Sequence, residues 1–413
     1  MVSPGHALLR SLGECVIDFL RLAENNAIDY AHPQQAIGLL QLLREGTAMS
    51  GLKRIVASLV APALLLGPVA KSFAQASMPS VIQVDDDGTV HVPAMAVPVS
   101  SMLSAEAKAY LTDHLKAMQD PEQLKQVAGV PVFMQGYLAK AKATFAPTMV
   151  ERQIGGVHVL DYSPREGVLR KNRKRVLINL HGGGFMGCFP GCAELESIPV
   201  TAIGKVRVVS VDYRQGPVHV FPAASEDVAA VYRELLKTYP ARNIGIYGCS
   251  AGGMLTGMAT AWFQKHRLPR PGAIGVFCAG LTTSAFGFGG DADYMTAAIG
   301  DARAAPDWPA DAQLPWTALP YFKGADPKDP TVSPGSSDET LRQFPPTLII
   351  SGTRGFELSS AVKTHSRLVA LGVKADLHVW EGLFHGFFYN SDIPESLEAY
   401  DVMLRFFDGH LGR

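Results

Sequence analysis

From residue 157 onward, short apolar runs alternate with longer amphipathic stretches. Helix-like stretches lie between several of the runs, at roughly 224–238, 251–266, 359–371 and 394–409. Strands that alternate with helices predict an α/β fold, with a mostly parallel central sheet and helices on both faces. The first run, VHVLDYSP, is a candidate for an antiparallel strand, because no clear helix separates it from the second run. The seven runs, all rich in β-branched residues, are VHVLDYSP, RVLINL, RVVSVDY, NIGIYG, AIGVFCAG, TLIISG and ADLHVWEG.

The segments before this alternation have a different pattern. The stretch SAEAKAYLTDHLKAM (104–118) has helical character, with Ser104 as its N-cap, and a second helical stretch reaches about residue 145. Because both precede the first convincing core strand, we expect them to form a cap. We therefore assign 77–150 to an N-terminal or cap region and 151–413 to the main domain.

A targeting pattern lies within 49–76. Lys53 and Arg54 precede sixteen uncharged, mostly apolar positions (55–70), and Ala74-Gln75-Ala76 supplies a small-x-small cleavage pattern. This order is typical of an export signal peptide, although a buried helix is the alternative. The run is shorter than the roughly 20 residues of a membrane-spanning helix, so no stable span is predicted. We expect an exported protein, periplasmic or secreted.

The position of this signal raises a question about residues 1–48. Export signals begin a chain, whereas this one begins at Met49. We interpret residues 1–48 as an upstream extension. A genuine helical leader is the alternative, because VIDFLRLAE and AIGLLQLLRE both have helical spacing.

Composition and charge exclude several classes of function. The chain has 413 residues, of which 47% are hydrophobic and 18% charged, and its formal net charge is −1. These values fit a globular protein with a sizeable core. The densest basic cluster, RKNRKR at 170–175, directly precedes an apolar strand and is interpreted as a solvated strand edge. No nucleic-acid partner is predicted.

The spacing of the cysteines and histidines suggests no metal site. There is no C-x-x-C pair, no HExxH and no clustered His/Cys spacing. Cys188 and Cys192 are the one close cysteine pair beyond the signal, and an oxidising compartment would permit a bridge between them. We interpret these two, with Cys249 and Cys278, mainly as buried thiols.

The stretch IYGCSAGG (246–253) sets Ser250 between two glycines at the end of a strand and the start of an apolar helix. A serine on such a sharp turn has strained backbone angles, and bulkier neighbours than Gly248 and Gly252 would clash. The turn would also point the first amides of the helix, including that of Ala251, at a developing negative charge. This context predicts a catalytic nucleophile, while an ordinary glycine-rich turn is the alternative.

A second glycine-rich segment lies upstream. In LINLHGGGF (177–185) an apolar strand runs into His181 and three glycines, whose bare N–H groups could hold an oxyanion. We predict an oxyanion hole made by the amides of Gly183, Gly184 and Ala251. The amide of Gly182 is an alternative to that of one of the neighbouring glycines. A phosphate loop is disfavoured, because the G-x-x-x-x-G-K spacing is absent.

Three motifs carry a family resemblance: HGGGF at 181–185, GCSAGG at 248–253 and YRQGPVHVFPAASED at 213–227. In this order they resemble the bacterial hormone-sensitive-lipase-like esterases of the α/β-hydrolase superfamily, over roughly 155–410. The resemblance implies an α/β-hydrolase fold with an N-terminal helical cap, and hydrolysis of small, short-to-medium acyl esters without a cofactor. It also leaves a homodimer, formed through the last strand and helix, as an expectation.

The resemblance implies a general base and an acid as well. His385, in WEGLFHGFF, follows the last strand and matches the family's catalytic histidine. The family's Asp-Pro-Leu is replaced by SGTRGFELSS (351–360), with Gly355 where the aspartate often stands, so we predict Glu357 as the acid. Asp291 or Asp293 is the alternative.

Cys249 stands where the family has an aspartate before the nucleophile, and we expect it to alter packing more than mechanism. Two rival functions stay open: a lactonase, amidase or thioesterase with the same triad, and a catalytically silent binding protein of the same fold. The aromatic residues Phe185, Phe387, Phe388 and Tyr389 are candidates for an apolar substrate pocket or for the core.

Overall fold

A computed structural model describes residues 83–91, 96–281, 290–296, 300–301 and 319–412 of the chain. The predicted upstream extension and signal peptide lie outside these residues. The chain divides into two compact units, Met1–His91 and Val92–Arg413. In the first unit, strands β1 (Gln83–Val84) and β2 (Val90–His91) pair as an antiparallel hairpin.

The second unit contains a small hairpin and an eight-stranded sheet. The hairpin pairs β3 (Gln126–Val127) with β4 (Val130–Pro131). The sheet strands are β5 (Thr148–Ile154), β6 (Val157–Ser163), β7 (Val176–Leu180), β8 (Val208–Val211), β9 (Ile244–Cys249), β10 (Ala273–Phe277), β11 (Thr347–Arg354) and β12 (Ala375–Phe384). Their spatial order across the sheet is β12-β11-β10-β9-β7-β8-β6-β5.

The six strands from β7 to β12 are parallel to one another, whereas β6 is antiparallel to both β5 and β8. The α/β prediction and the antiparallel first run are therefore confirmed. Strand β5 was not predicted. Six of its seven residues are exposed, so TMVERQI has neither the apolar run nor the alternation that indicates a strand.

Helices cover both faces of the sheet. They are α1 (Ala105–Ala117), α2 (Val132–Phe145), α3 (Gly191–Gly204), α4 (Ala223–Leu236), α5 (Ala251–Lys265), α6 (Asp291–Met295), α7 (Asp338–Arg342), α8 (Leu358–Ala370) and α9 (Pro394–His410). The strand residues alternate between two cores. In β7, for example, Ile178 belongs to the core under α4, α5 and α8, while Leu177 belongs to the core under α1, α2, α3 and α9.

The four helices predicted between strands are confirmed to within two residues at each end, as α4, α5, α8 and α9. Helix α3 was missed. Glycines stand at both of its ends and Pro199 lies inside it, and these residues ordinarily argue against a helix. Burial stabilises it nonetheless, since every residue from Gly191 to Thr201 is buried.

Helix α1 begins where the sequence predicts. The Ser104 hydroxyl accepts a hydrogen bond from the amide of Ala107, at 3.0 Å, as an N-cap does. The same hydroxyl and its backbone N–H donate to Glu395, near the start of α9. Farther along α1, the ring of His114 stacks at 4.2 Å on Phe384, the last residue of β12. Helix α1 therefore packs against the strand end that leads to His385.

The structure corrects the interpretation of two cysteines. Cys188 and Cys192 form a disulfide with a Cα–Cα distance of 5.3 Å, so the interpretation of this pair as thiols is wrong. The amide of Cys192 donates to the carbonyl of Cys188 at 2.7 Å, and this helical turn brings the side chains together across four residues. Cys249 and Cys278 are buried free thiols, as predicted.

One residue of the basic cluster at 170–175 is not solvated. Arg175 is only 2% exposed, and its guanidinium donates to Asp408 and to the carbonyls of Leu411 and Gly412. It anchors the end of the chain to the sheet. Among the residues that the structure describes, no helix is both long and apolar enough to cross a bilayer.

Candidate active site

Ser250 lies on the corner between β9 and α5, with φ 59° and ψ −124°. Its amide donates to Phe277 of the neighbouring strand at 2.8 Å, which holds the corner against the sheet. A side chain on Gly252 would place its Cβ 1.7 Å from the carbonyl oxygen of Leu180, and one on Gly248 would place it 2.1 Å from the same atom. The nucleophile elbow (residues 248–252) thus requires its two glycines, as the sequence predicted.

The loop that follows β7 lies beside this elbow. His181 is buried, its ring stacks on Tyr213 at 4.4 Å, and its carbonyl accepts a hydrogen bond from the Tyr213 hydroxyl. Burial lowers the pKa of His181 to about 4, so its ring is neutral at neutral pH. A Cβ on Gly182 would lie 3.4 Å from the Cβ of Ser250. Residues 181–184, called the oxyanion loop after their predicted role, therefore run directly past Ser250.

The three glycines of the oxyanion loop differ in what their amides do. The N–H of Gly182 donates to a carboxylate oxygen of Glu196 at 2.9 Å, so this amide already has a partner. Gly183 and Gly184 have φ values of 117° and 63°, which favour glycine. The geometry favours Gly183 and Gly184, rather than Gly182, as partners of Ala251 in an oxyanion hole.

His385 and Glu357 lie within hydrogen-bonding distance, with 3.0 Å between Nδ1 and a carboxylate oxygen. His385 follows β12 and is 17% exposed, whereas Glu357 stands between β11 and α8 and is fully buried. The hydroxyl of Ser351 donates to the other carboxylate oxygen at 2.8 Å. An acid held in this way can fix the tautomer and orientation of the imidazole.

The alternative acids lie on α6. Asp291 is exposed and Asp293 is buried, and both stand in the first turn of this short helix. The amide of Ala292 donates to the Ser359 hydroxyl, which ties α6 to the start of α8. Because the Nδ1 atom of His385 is paired with Glu357, the geometry favours Glu357.

A third donor lies beside this pair. The thiol of Cys278, a carboxylate oxygen of Glu357 and a ring nitrogen of His385 are all within 4.8 Å of one another, and this is the one His/Cys/Asp/Glu group with metal-ligating geometry in the described part of the chain. The Cys278 sulfur accepts a hydrogen bond from Gly386, and burial raises its pKa, so it is a protonated thiol.

The four aromatic residues near the motifs belong to the core. Phe185 and Phe387 are fully buried, and Phe388 and Tyr389 are nearly so. The ring of Phe185 stacks on Tyr321 at 4.7 Å. Their role is therefore to pack the loops on which the site residues lie.

Glu196 is a site residue that the sequence did not reveal. Its buried carboxylate accepts hydrogen bonds from the amide of Gly182, the Tyr389 hydroxyl, the Asn179 side chain and the amide of Cys249. Burial raises its pKa to about 7. No signal in the sequence distinguishes it from Glu194, two residues earlier, which pairs with Lys142.

Comparison with known proteins agrees with this arrangement of an eight-stranded sheet, a serine on a strand-to-helix corner and a histidine–carboxylate pair. Residues 177–389 match a family profile described as the alpha/beta hydrolase fold. The chain belongs to this family. An acetyl-hydrolase of Streptomyces hygroscopicus is 30% identical over 232 residues, which are 55% of this chain and 73% of that protein.

Solved structures agree with this assignment. The crystal structure of esterase E25 has 29% sequence identity and a TM-score of 0.65, and the match covers 78% of this chain and 99% of that one. An esterase from the bacterial hormone-sensitive lipase family, with 24% identity and a TM-score of 0.60 over 75% of this chain and 99% of its own, has the same fold. The predicted resemblance is confirmed, as is the prediction of an enzyme of the esterase and lipase group.

Proposed function

We propose that the chain is a serine carboxylesterase with the triad Ser250, His385 and Glu357. The observation that carries this proposal is the 3.0 Å pairing of His385 with the buried carboxylate of Glu357. It is supported by the strained backbone of Ser250 on the elbow, since such a conformation is retained where it serves a purpose. The oxyanion is held by the amides of Gly183, Gly184 and Ala251.

The reaction follows from these roles. The Nε2 atom of His385 takes the hydroxyl proton of Ser250 as its oxygen bonds to the ester carbonyl carbon. The resulting oxyanion collapses, the carbon–alkoxide bond breaks, and the alcohol leaves with the proton from His385. Water then attacks the acyl-enzyme and gives a proton to His385, which returns it to Ser250 as the carboxylic acid leaves. Each oxyanion donor contributes about 3 kcal/mol of barrier lowering.

We propose small esters with short-to-medium acyl chains as substrates. The support is the similarity to an acetyl-hydrolase and to esterase E25. The mechanism requires no metal or cofactor, because the proton transfers are made by His385 and the negative charge is held by backbone amides.

The test is covalent labelling together with turnover. We expect a fluorophosphonate probe to label the chain and p-nitrophenyl butyrate to be hydrolysed, and Ser250→Ala to abolish both. Ser101→Ala is the matched control, because Ser101 is exposed and lies outside the site. A chain that neither reacts with the probe nor turns over esters would be the silent binding protein. Faster turnover of lactone or anilide substrates would instead identify a lactonase or amidase.

We also propose that the protein is exported. The Cys188–Cys192 disulfide supports this, because such bridges persist in oxidising compartments. N-terminal sequencing of protein from its native host should find a chain that begins just after Ala76. A chain that is intact from Met1 would contradict both export and the start at Met49.

A further inference from the structure

Glu196 lies in the first half of α3, between the sheet and the loops that surround Ser250. It is 3% exposed, and each of its carboxylate oxygens accepts two hydrogen bonds. One oxygen accepts from Gly182 at 2.9 Å and from Tyr389 at 2.8 Å. The other accepts from Asn179 at 2.8 Å and from Cys249 at 3.2 Å. A buried carboxylate with four donors is held in one position and orientation.

The donors come from separate parts of the proposed machinery. Gly182 belongs to the oxyanion loop, and Cys249 directly precedes Ser250 on the elbow. Tyr389 stands four residues after His385, in the histidine loop (residues 385–389). We propose that Glu196 is a positioning residue, whose carboxylate holds the oxyanion loop, the nucleophile elbow and the histidine loop in one catalytic arrangement. This inference rests on the proposed function.

The helix that carries Glu196 is itself fixed to the sheet. The hydroxyl of Tyr247, on β9, donates to the backbone carbonyl of Glu196 at 3.0 Å. The amide orientation of Asn179 is set by a hydrogen bond from the Ser210 hydroxyl to its oxygen, which leaves its NH₂ group to donate to Glu196. The carboxylate therefore has a rigid support on both sides, as a residue that positions others requires.

The hydrogen-bond pattern favours the ionised form. A protonated carboxyl must donate from one oxygen, and three of the four groups that face Glu196 are N–H donors, so the proton has an acceptor only if the Tyr389 hydroxyl reverses its bond. Within the described part of the chain, no cation lies among the groups that interact with this carboxylate, and burial keeps the surrounding tyrosines and thiols neutral. The titratable groups around the Glu196 carboxylate are Tyr213, Tyr247, Cys249, Cys278, Tyr389 and the neutral His181. His385 lies on the same loop as Tyr389, and Glu194 lies on the same helix as Glu196.

The substitution Glu196→Gln tests the proposal with little change in volume. If the amide NH₂ group faces Gly182 and Tyr389, the bond from Gly182 is lost and the Tyr389 hydroxyl must turn to accept. If it faces Asn179 and Cys249, the bonds from both are lost, so the substitution releases either the oxyanion loop or the elbow. We expect kcat for p-nitrophenyl butyrate to fall about 100-fold, the cost of misplacing reacting groups by about 1 Å, with little change in KM. Glu194→Gln is the matched control. Glu194 is two residues away and also buried, but it pairs with Lys142 on α2, and its variant should retain full kcat.

The pH profile separates positioning from general loss of structure. In the unaltered chain, protonation of Glu196 should contribute to the fall of kcat at acid pH. In the Glu196→Gln variant this contribution is absent, so we expect a shallower acid limb on a lower plateau. A lower plateau with an unchanged acid limb would overturn the role of the charge.

Two further outcomes decide the proposal. If Glu196→Gln retains kcat while Ser250→Ala abolishes it, the positioning role is wrong and the proposed function stands. If the unaltered chain has no activity and takes up no fluorophosphonate, the proposed function itself fails.

Should the Glu196→Gln variant not fold, Tyr389→Phe decides, because it removes one donor and leaves the carboxylate in place. We expect it to lower kcat about tenfold, consistent with loss of one buried hydrogen bond to a charged group, and an unchanged kcat would overturn the proposal.

Discussion

The carboxylate of Glu357 occupies the space beside Gly355 that a side chain at that position would need. A Cβ on Gly355 would lie 2.6 Å from a carboxylate oxygen of Glu357 and 2.9 Å from the Ser351 hydroxyl. The family resemblance implies an aspartate where Gly355 stands. Here the carboxylate comes from two residues farther along the chain, on a side chain that is one methylene longer, and the glycine leaves room for it.

The first prediction concerns the identity of the acid. We expect Glu357→Gln to lower kcat at least about 100-fold, because the amide carries no charge to stabilise the imidazolium and can favour the wrong tautomer of His385. Asp291→Asn and Asp293→Asn, measured in the same esterase assay, should have little effect. The reverse pattern would move the acid to α6.

The second prediction tests whether Gly355 and Glu357 are exchangeable positions for one carboxylate. We expect Glu357→Ala to be nearly inactive, and Gly355→Asp in that background to recover at least about tenfold in kcat, since an oriented carboxylate is restored beside His385. Gly355→Asp in the presence of Glu357 should lower kcat, because two carboxylates then compete for one buried space. Gly355→Ala in the Glu357→Ala background is the control, and equal recovery by it would show that the restored carboxylate is irrelevant.

The parts of the fold that the sequence predicted are those with local signals. The strands β7 to β11 are short apolar runs followed by turns, and Ser104 and the glycines of the elbow have chemical roles that depend on their immediate neighbours. Such features need no knowledge of distant residues. Ser250, His181 and His385 could therefore be placed correctly relative to strand ends from the sequence alone.

The features that the sequence did not reveal depend on distant contacts. Strand β5 is stabilised by pairing with β6 rather than by burial of its own side chains. The role of Glu196 depends on Asn179, Cys249 and Tyr389, which are 17, 53 and 193 residues away along the chain. A charged residue on a helix ordinarily indicates a solvated face, and only the fold shows that this one is enclosed.

The third prediction concerns the Cys188–Cys192 disulfide. Its loss should lower the free energy of unfolding by about 2 kcal/mol, the chain-entropy value for so short a loop. We expect Cys188→Ser/Cys192→Ser to show this loss in urea unfolding. Activity should fall as well, because a Cβ on Gly183 would lie only 2.8 Å from the Cβ of Cys188, so the bridge borders the oxyanion loop. Reductant should destabilise the unaltered chain by a similar amount and leave the double variant unchanged. A reductant effect on both would exclude the bridge as its cause.

The fourth prediction links the charge of Glu196 to stability. Burial raises the pKa of this carboxyl from 4.5 to about 7 in the folded chain, so between these values the folded state binds more protons than the unfolded state. The stability that this group contributes is therefore fully present below pH 4.5 and is lost as the pH rises through 7. From pH 5 to pH 8 the loss is about 2 to 3 kcal/mol, at roughly 1.4 kcal/mol per pKa unit.

Glu196→Gln isolates this contribution, because all other titrations are common to both chains and cancel in the difference. In urea unfolding, the substitution should be more destabilising at pH 5 than at pH 8 by about 2 to 3 kcal/mol. The catalytic effect should run in the opposite direction, since the active arrangement requires the ionised carboxylate, and kcat should differ most between the two chains at the higher pH. Glu194→Gln should produce neither dependence. If the stability difference between the Glu196→Gln variant and the unaltered chain does not vary with pH, then Glu196 does not titrate in this range. Its charge then does not lower the free energy of unfolding.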